Sequence, residues 1–133
     1  MGIRRVVTGH DDHGKAHVAS DEVVEPVTSS LAAGYEFFRL WGSDEPCRFP
    51  DAGSPPPAAR YFPPVGGFRF GLFTVPPDGE VDLNGIDFEA ALVEMEEKLP
   101  GMAEHMEPDH PGMHTTATVD YEFVVSGRAV LEL

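Results

Sequence analysis

The sequence predicts an all-β domain, mainly antiparallel and of sandwich or barrel type, with one short helix. Three observations support this fold class. Short runs of β-branched and aromatic residues alternate with turn residues, one segment alone has helical periodicity, and 13 Pro and 14 Gly interrupt the rest of the 133 residues. A chain of this length can bury one hydrophobic core, so we interpret 1–133 as a single domain.

The first predicted element is a hairpin within an N-terminal arm, residues 1–34. Runs 3–8 and 17–20 have strand character and flank the turn-rich sequence His-Asp-Asp-His-Gly at 10–14. The segment 35–41 is aromatic and compact, and 68–75 alternates imperfectly. Between them lies a proline-rich loop at 46–67, because each proline fixes φ and removes a backbone donor.

One helix is predicted over 88–99, with Asp87 as its N-cap and Pro100-Gly101 as its end. Apolar residues recur there at three- and four-residue spacing, namely Phe88, Ala91, Leu92, Met95 and Leu99. The acidic residues of the other face are interpreted as solvated, namely Glu89, Glu94, Glu96 and Glu97.

The last fourteen residues have the clearest strand pattern in the sequence. Alternate side chains of 121–125 are apolar, Gly127 turns the chain, and alternate side chains of 129–133 continue an inward-facing row. The pattern predicts a hairpin with one apolar face.

Charge excludes several classes of partner. Nine basic residues against 23 acidic ones give a net charge of −14, which repels nucleic-acid phosphates and anionic lipid. No apolar run approaches the roughly 20 residues of a spanning helix, and no hydrophobic stretch follows the start as in a secretory signal. We therefore expect a cytoplasmic protein that handles small molecules or other proteins.

The six histidines fall into two groups, and the second group predicts a site. The first group lies in the first predicted hairpin, namely His10, His13 and His17. The second group consists of His105, His110 and His114. It lies among acidic residues such as Glu104, Glu107 and Asp109. Imidazole and carboxylate groups together are common ligands of Zn, Fe, Mn and Ni. If one strand runs unbroken from His114, then Thr116 and Asp120 share its face.

Cys47 is the only cysteine, which excludes an internal disulfide and a cysteine-rich zinc site. Arg48 follows it, but no histidine lies near it in sequence, so we do not expect a catalytic thiol.

The segment PGMHTTATVDYEFVVSGRAVLEL, residues 111–133, resembles the first conserved motif of the cupin superfamily. That motif reads His-x-His, three or four residues, Glu, six residues, Gly. His114 matches the first histidine, Thr116 occupies the place of the second, Asp120 that of the glutamate and Gly127 that of the glycine. The resemblance covers the hairpin region 110–133 and is that of a small single-domain bacterial cupin.

The resemblance implies a jelly-roll β-barrel, a homodimer, and either a divalent metal (Fe, Mn, Zn or Ni) or a metal-free barrel. It implies His114 as general base or metal ligand, with Asp120 and His110 as further metal ligands. Thr116, Tyr121 and Phe123 would line the wall against a small-molecule ligand. The implied function is that of a metal-dependent isomerase, decarboxylase or dioxygenase acting on a small metabolite.

Two departures from the family pattern open alternatives. Thr116 and Asp120 replace better metal ligands, which favours a non-catalytic, metal-free module that binds a small ligand through His114 and nearby threonines. The second motif of the family has no counterpart, so we expect an incomplete barrel. A fragment of a longer protein is the preferred explanation. Strands supplied by a partner subunit, a degraded barrel and an inactive fragment are the alternatives.

Overall fold

A computed structural model describes residues 1–55, 60–77, 79, 84–110 and 112–132. Its described part is mainly β, with two antiparallel two-stranded sheets and one short helix, as the sequence predicts. In chain order the elements are β1 (Ile3–His10), β2 (Ala16–Val24), β3 (Glu36–Ser43), β4 (Phe68–Thr74) and α1 (Phe88–Lys98), with 3₁₀ turns at Ser30–Ala32 and Ala103–His105. The strands that are described do not close into a barrel.

Strands β1 and β2 form the hairpin predicted for the N-terminal arm, and both strands are longer than predicted. The pairing runs from Ile3 opposite Val24 to His10 opposite Ala16, with a bulge after Val7. The Asp11 carboxylate closes the turn by accepting hydrogen bonds from two backbone N–H groups, those of residues 13 and 15, each at 2.9 Å. The prediction of this hairpin is confirmed.

Strands β3 and β4 form a second hairpin across the long proline-rich loop, of which residues 56–59 lie outside the described part. Arg69 on β4 ties this loop to the sheet. Its guanidinium donates to the Asp44 carboxylate at 2.6 Å, to the Ser43 carbonyl at 3.1 Å and to the Arg60 carbonyl at 3.0 Å. One side chain therefore contacts both the end of β3 and Arg60 in the later part of the loop.

Arg5 connects the two hairpins. Its guanidinium donates to the Leu40 carbonyl at 2.7 Å, pairs with Glu22 and lies 5.4 Å from the centre of the Trp41 ring. The cation therefore adds a cation–π contact to the hydrogen bond between β1 and β3.

Helix α1 begins and ends where the sequence predicts. The Asp87 side chain accepts a hydrogen bond from Ala90 N at 3.1 Å, and Leu99 forms the C-cap before Pro100. Gly101 follows with a φ of 81°, a conformation that favours glycine.

The faces of α1 differ in part from the prediction. Ala91, Met95 and Leu99 are buried, whereas Phe88 and Leu92 are exposed. On the acidic face, Glu89 and Glu97 are exposed, while Glu94 and Glu96 are half-buried and accept hydrogen bonds from Ser30 N and Gly101 N.

The core lies where α1 meets β3 and the end of the proline-rich loop. Met95, Leu99 and Met102 form its buried cluster, and Leu99 is fully buried. Partly buried neighbours pack against this cluster, namely Val27, Leu31, Ala32, Phe37, Tyr61, Phe62 and Met106. The core therefore joins the helix to the loop that carries Tyr61 and Phe62.

The C-terminal hairpin prediction is wrong for the residues described. Residues 115–132 contain no strand, and Leu133 of the predicted return strand lies outside the described part. The side chains of Tyr121, Phe123 and Val125 are 96%, 88% and 73% exposed. An isolated two-stranded hairpin is only marginally stable in water, and this segment has no packed surface on which to place its apolar row. The bend at Ser126 and Gly127 remains, with a φ of 79° at Gly127.

Within the described residues, no helix is both long and apolar enough to cross a bilayer.

Candidate functional site

Two of the predicted histidines meet on one aromatic ring. The imidazole of His105 lies edge-on to Phe62, with ring centroids 4.9 Å apart. The imidazole of His114 stacks on the same ring at 5.2 Å, with an angle of 28° between the planes. We call Phe62, His105, His114, Glu107 and Thr115 the Phe62 site.

The backbone brings these residues together through a short loop. Met106 and His114 form an isolated antiparallel bridge, Thr115 N donates to His105 O at 3.0 Å, and Glu107 N donates to Met113 O at 2.9 Å. His110 N donates to Glu107 O at 3.3 Å and Met113 N donates to His110 O at 3.0 Å between the two sides. This closure places His105 and His114 on the same side of the loop, facing Phe62.

Side-chain hydrogen bonds fix the polar part of the Phe62 site. Thr115 Oγ1 donates to Glu107 Oε1 at 2.7 Å. The Nδ1 atom of His105 lies 3.1 Å from the carbonyl oxygen of Thr115. Because a carbonyl oxygen only accepts, His105 carries its proton on Nδ1, and in the neutral ring Nε2 is left as an acceptor.

A row of hydroxyl groups continues from the Phe62 site along the chain. Thr116 Oγ1 and Thr118 Oγ1 lie 2.6 Å apart, and Thr118 Oγ1 donates to Asp120 Oδ2 at 3.3 Å. The row ends at an exposed carboxylate. These groups can donate to and accept from a polar ligand with many hydroxyl or amino groups.

The aromatic floor of the site continues into the core. Tyr61 contacts Phe62 edge-on at 4.9 Å, and Phe37 contacts Tyr61 at 5.9 Å. Burial raises the pKa of the Tyr61 phenol, and the nearby Arg39 guanidinium opposes this shift. Burial lowers the pKa of Arg39, with a further contribution from the charge of Arg69. The floor is therefore apolar with a neutral phenol, and the charged groups lie at its margin.

The structure places the predicted site residues in different surroundings. His110, His114 and Asp120 are exposed, and Thr116 is half-buried. Tyr121 and Phe123 project into solvent in the segment where the predicted strand is not formed. Of the residues that the cupin resemblance implies as ligands or wall residues, His114 alone joins the Phe62 site.

The arrangement of donors does not match a complete metal centre. In the described ranges, no group of three or more His, Cys, Asp or Glu side chains is arranged to hold a metal ion. The Glu107 carboxylate of the Phe62 site accepts a hydrogen bond from the Thr115 hydroxyl. The described residues of the site therefore do not fit a resident metal ion.

Sequence reasoning misses Phe62. It includes His105 and Glu107 in the histidine and carboxylate group that predicts a site, and Thr115 among the threonines of the metal-free alternative. Phe62 lies in a Tyr-Phe-Pro-Pro stretch within the predicted loop, where periodicity carries no information on contacts. The aromatic pair Tyr61-Phe62 between proline-rich segments is the one signal that such a loop contributes to a core.

No protein-family profile, curated protein or solved structure matches this chain.

Proposed function

We propose that this chain is a cupin-like, non-catalytic module that binds a small polar metabolite at the Phe62 site. The observation that carries the proposal is the convergence of His105 and His114 on Phe62. An aromatic floor with a few convergent polar groups is the usual composition of a small-molecule site. The resemblance at 111–133 supports the same class of function.

Each residue of the site has a role in binding. The stacked rings of Phe62 and His114 offer a flat surface, and the Nε2 atom of His105 offers an acceptor. Thr115 Oγ1 and Glu107 Oε1 lie 2.7 Å apart, so their hydrogen bond holds a hydroxyl and a carboxylate in a fixed relative position for the ligand. A ligand with hydroxyl or amino groups next to a flat apolar face satisfies all of these groups.

Charge narrows the class of ligand further. The chain has a net charge of −14, and Glu107 and Asp120 add local negative charge near the site. Such a field disfavours polyanions and favours neutral or cationic molecules. Amino compounds and sugars are therefore better candidates than phosphorylated metabolites.

The proposal is tested by thermal shift with a panel of sugars, amino acids and small amines. We expect at least one member to raise the Tm of the wild-type protein and to lose this effect in His114→Ala. The matched control is His13→Ala, which removes an exposed imidazole from the first turn and keeps the wild-type response. Equal ligand responses in wild type and His114→Ala contradict the proposal.

Metal analysis of the same samples separates binding from metal-dependent catalysis. The proposal predicts substoichiometric Fe, Mn, Zn and Ni in wild type. Metal near one per chain that is lost in His114→Ala would instead support the isomerase, decarboxylase or dioxygenase alternatives.

Gel filtration with light scattering tests the homodimer that the resemblance implies.

A further inference from the structure

A groove that shares no residue with the Phe62 site lies at the start of the proline-rich loop. It is an open groove of about 200 Å³ bordered by β1, β3 and the loop. Val7, Trp41 and Phe49 supply apolar walls, and Cys47 and Arg48 also line it. None of these residues belongs to the Phe62 site.

The loop that forms one wall is firmly attached to β1. His10 N donates to the Asp51 carbonyl at 2.7 Å, and the Asp51 carboxylate accepts from Gly53 N at 2.6 Å. A Cβ atom on Gly9 would collide with the Ala52 carbonyl oxygen, so the strand and the loop approach each other as closely as glycine allows. These contacts fix the wall of the groove, and the Asp51 carboxylate on its rim already accepts a hydrogen bond from Gly53 N.

Arg48 is the unusual charge in this groove. Among the residues that the structure describes, five basic side chains form ion pairs, namely those of Arg4, Arg5, Arg60, Arg69 and Lys98. The Arg48 side chain has no hydrogen-bond or ion-pair partner among the residues that the structure describes. The side chains of Lys15 and Arg128 share this property, but neither residue lines the groove. In a chain with 23 acidic residues, an unpaired guanidinium beside a groove favours an anionic group there.

The aromatic walls of the groove indicate which other chemical group a ligand with an anionic group would carry. Phe49 is 82% exposed, with one edge contact to His10 at 6.0 Å. Trp41 also lines the groove, and its ring carries the Arg5 guanidinium, which is paired with Glu22. A flat aromatic ring between Trp41 and Phe49 would cover apolar surface that is now in water.

We propose that this groove binds a single-ring aromatic carboxylate, with its ring against Trp41 and Phe49 and its carboxylate paired with Arg48. The volume of the groove limits the ligand to a single ring, because pockets for drug-sized ligands measure about 300–1,000 Å³ and this groove is smaller. The site is independent of the proposed function at Phe62.

Benzoate titration tests this proposal directly, because Trp41 is the only tryptophan of the chain. We expect a saturable change in tryptophan fluorescence with wild type. Arg48→Gln should weaken binding about tenfold or more, since a charge-assisted hydrogen bond contributes about 1.5–3 kcal/mol. Arg128→Gln removes the unpaired guanidinium of the tail and should leave the affinity unchanged. Benzamide, the neutral analogue, should bind at least about tenfold more weakly than benzoate.

Alkylation of Cys47 provides a second readout that does not depend on fluorescence. Cys47 is exposed, lines the groove and is the only thiol in the chain. Benzoate should slow its reaction with iodoacetamide in wild type and in Arg128→Gln, but not in Arg48→Gln. The proposal is overturned if wild type shows no saturable response, or if Arg48→Gln or benzamide gives wild-type affinity.

Discussion

The imidazole of His114 stacks on the ring of Phe62, with centroids 5.2 Å apart and planes 28° apart. These residues lie far apart in sequence, and the contact joins the motif that resembles a cupin to the proline-rich loop. Because Phe62 also contacts the buried cluster around Leu99, the stack connects the candidate site to the core. Substitutions in the core should therefore also alter the structure of the candidate site.

Leu99 anchors this core, and its truncation should be costly. It is fully buried against Met95 and Met102, so Leu99→Ala leaves a cavity and should lower the free energy of unfolding by about 2–5 kcal/mol. Val93→Ala is the control, because Val93 lies on the same helix and is 57% exposed; it should change stability by less than about 0.5 kcal/mol. Urea denaturation followed by circular dichroism measures both. Equal effects of the two variants would contradict the assigned core.

Arg69 should be needed for the path of the proline-rich loop. Its guanidinium holds Asp44, Ser43 O and Arg60 O, so Arg69→Ala should destabilise the protein by about 2–4 kcal/mol and expose the loop to proteolysis. Arg69→Lys keeps the charge but cannot reproduce the planar set of donors, and it should restore only part of the loss. Limited proteolysis with denaturant titration measures both effects. Full rescue by lysine would show that charge alone suffices.

The Glu94 carboxylate should make stability depend on pH in the acid range. Hydrogen bonds from Lys98 and from Ser30 N lower the pKa of Glu94 to about 2. A lowered pKa in the folded state stabilises the protein above the ordinary carboxyl pKa of about 4.3. This contribution is lost as the pH falls from there toward about 2.

The variant Glu94→Gln tests this dependence. It should have a lower Tm than wild type at pH 7, and the difference should shrink as the pH falls from about 4 to about 2. Glu97→Gln on the same helix, where the carboxylate is exposed, serves as the control and should show no such dependence. Thermal melts across this pH range measure both, and a constant difference between Glu94→Gln and wild type would refute the assigned pKa.

The exposed C-terminal segment should contribute little to stability. The Tyr121 side chain is 96% exposed and that of Phe123 is 88% exposed, so Tyr121→Ala and Phe123→Ala should each change stability by less than about 0.5 kcal/mol. A residue packed in a barrel wall would cost about 3–5 kcal/mol. Thermal melts distinguish the two cases, and a large loss would mean that this segment packs against a surface.

Local features could be predicted from the sequence because their causes are local. The Asp11 turn and the Asp87 cap each depend on one side chain and the next few backbone N–H groups. The β3–β4 strands were visible as apolar runs, but their pairing depends on contacts across the proline-rich loop. Phe62 could not be placed for the same reason.

The C-terminal prediction was wrong for an instructive reason. Alternation of apolar residues over 121–125 indicates which side chains would share a face of a strand. It does not indicate whether a neighbouring strand or core is present to cover that face. The described residues provide neither, and the segment stays exposed.

NMR of the histidine side chains in wild type and in Phe62→Leu tests the Phe62 site most directly. We expect the ring current of Phe62 to shift the ring protons of His105 and His114 in wild type, and both shifts to disappear in Phe62→Leu. The ring protons of His13 should be unchanged. Resonances of His105 and His114 that are the same in both proteins would contradict a shared aromatic site.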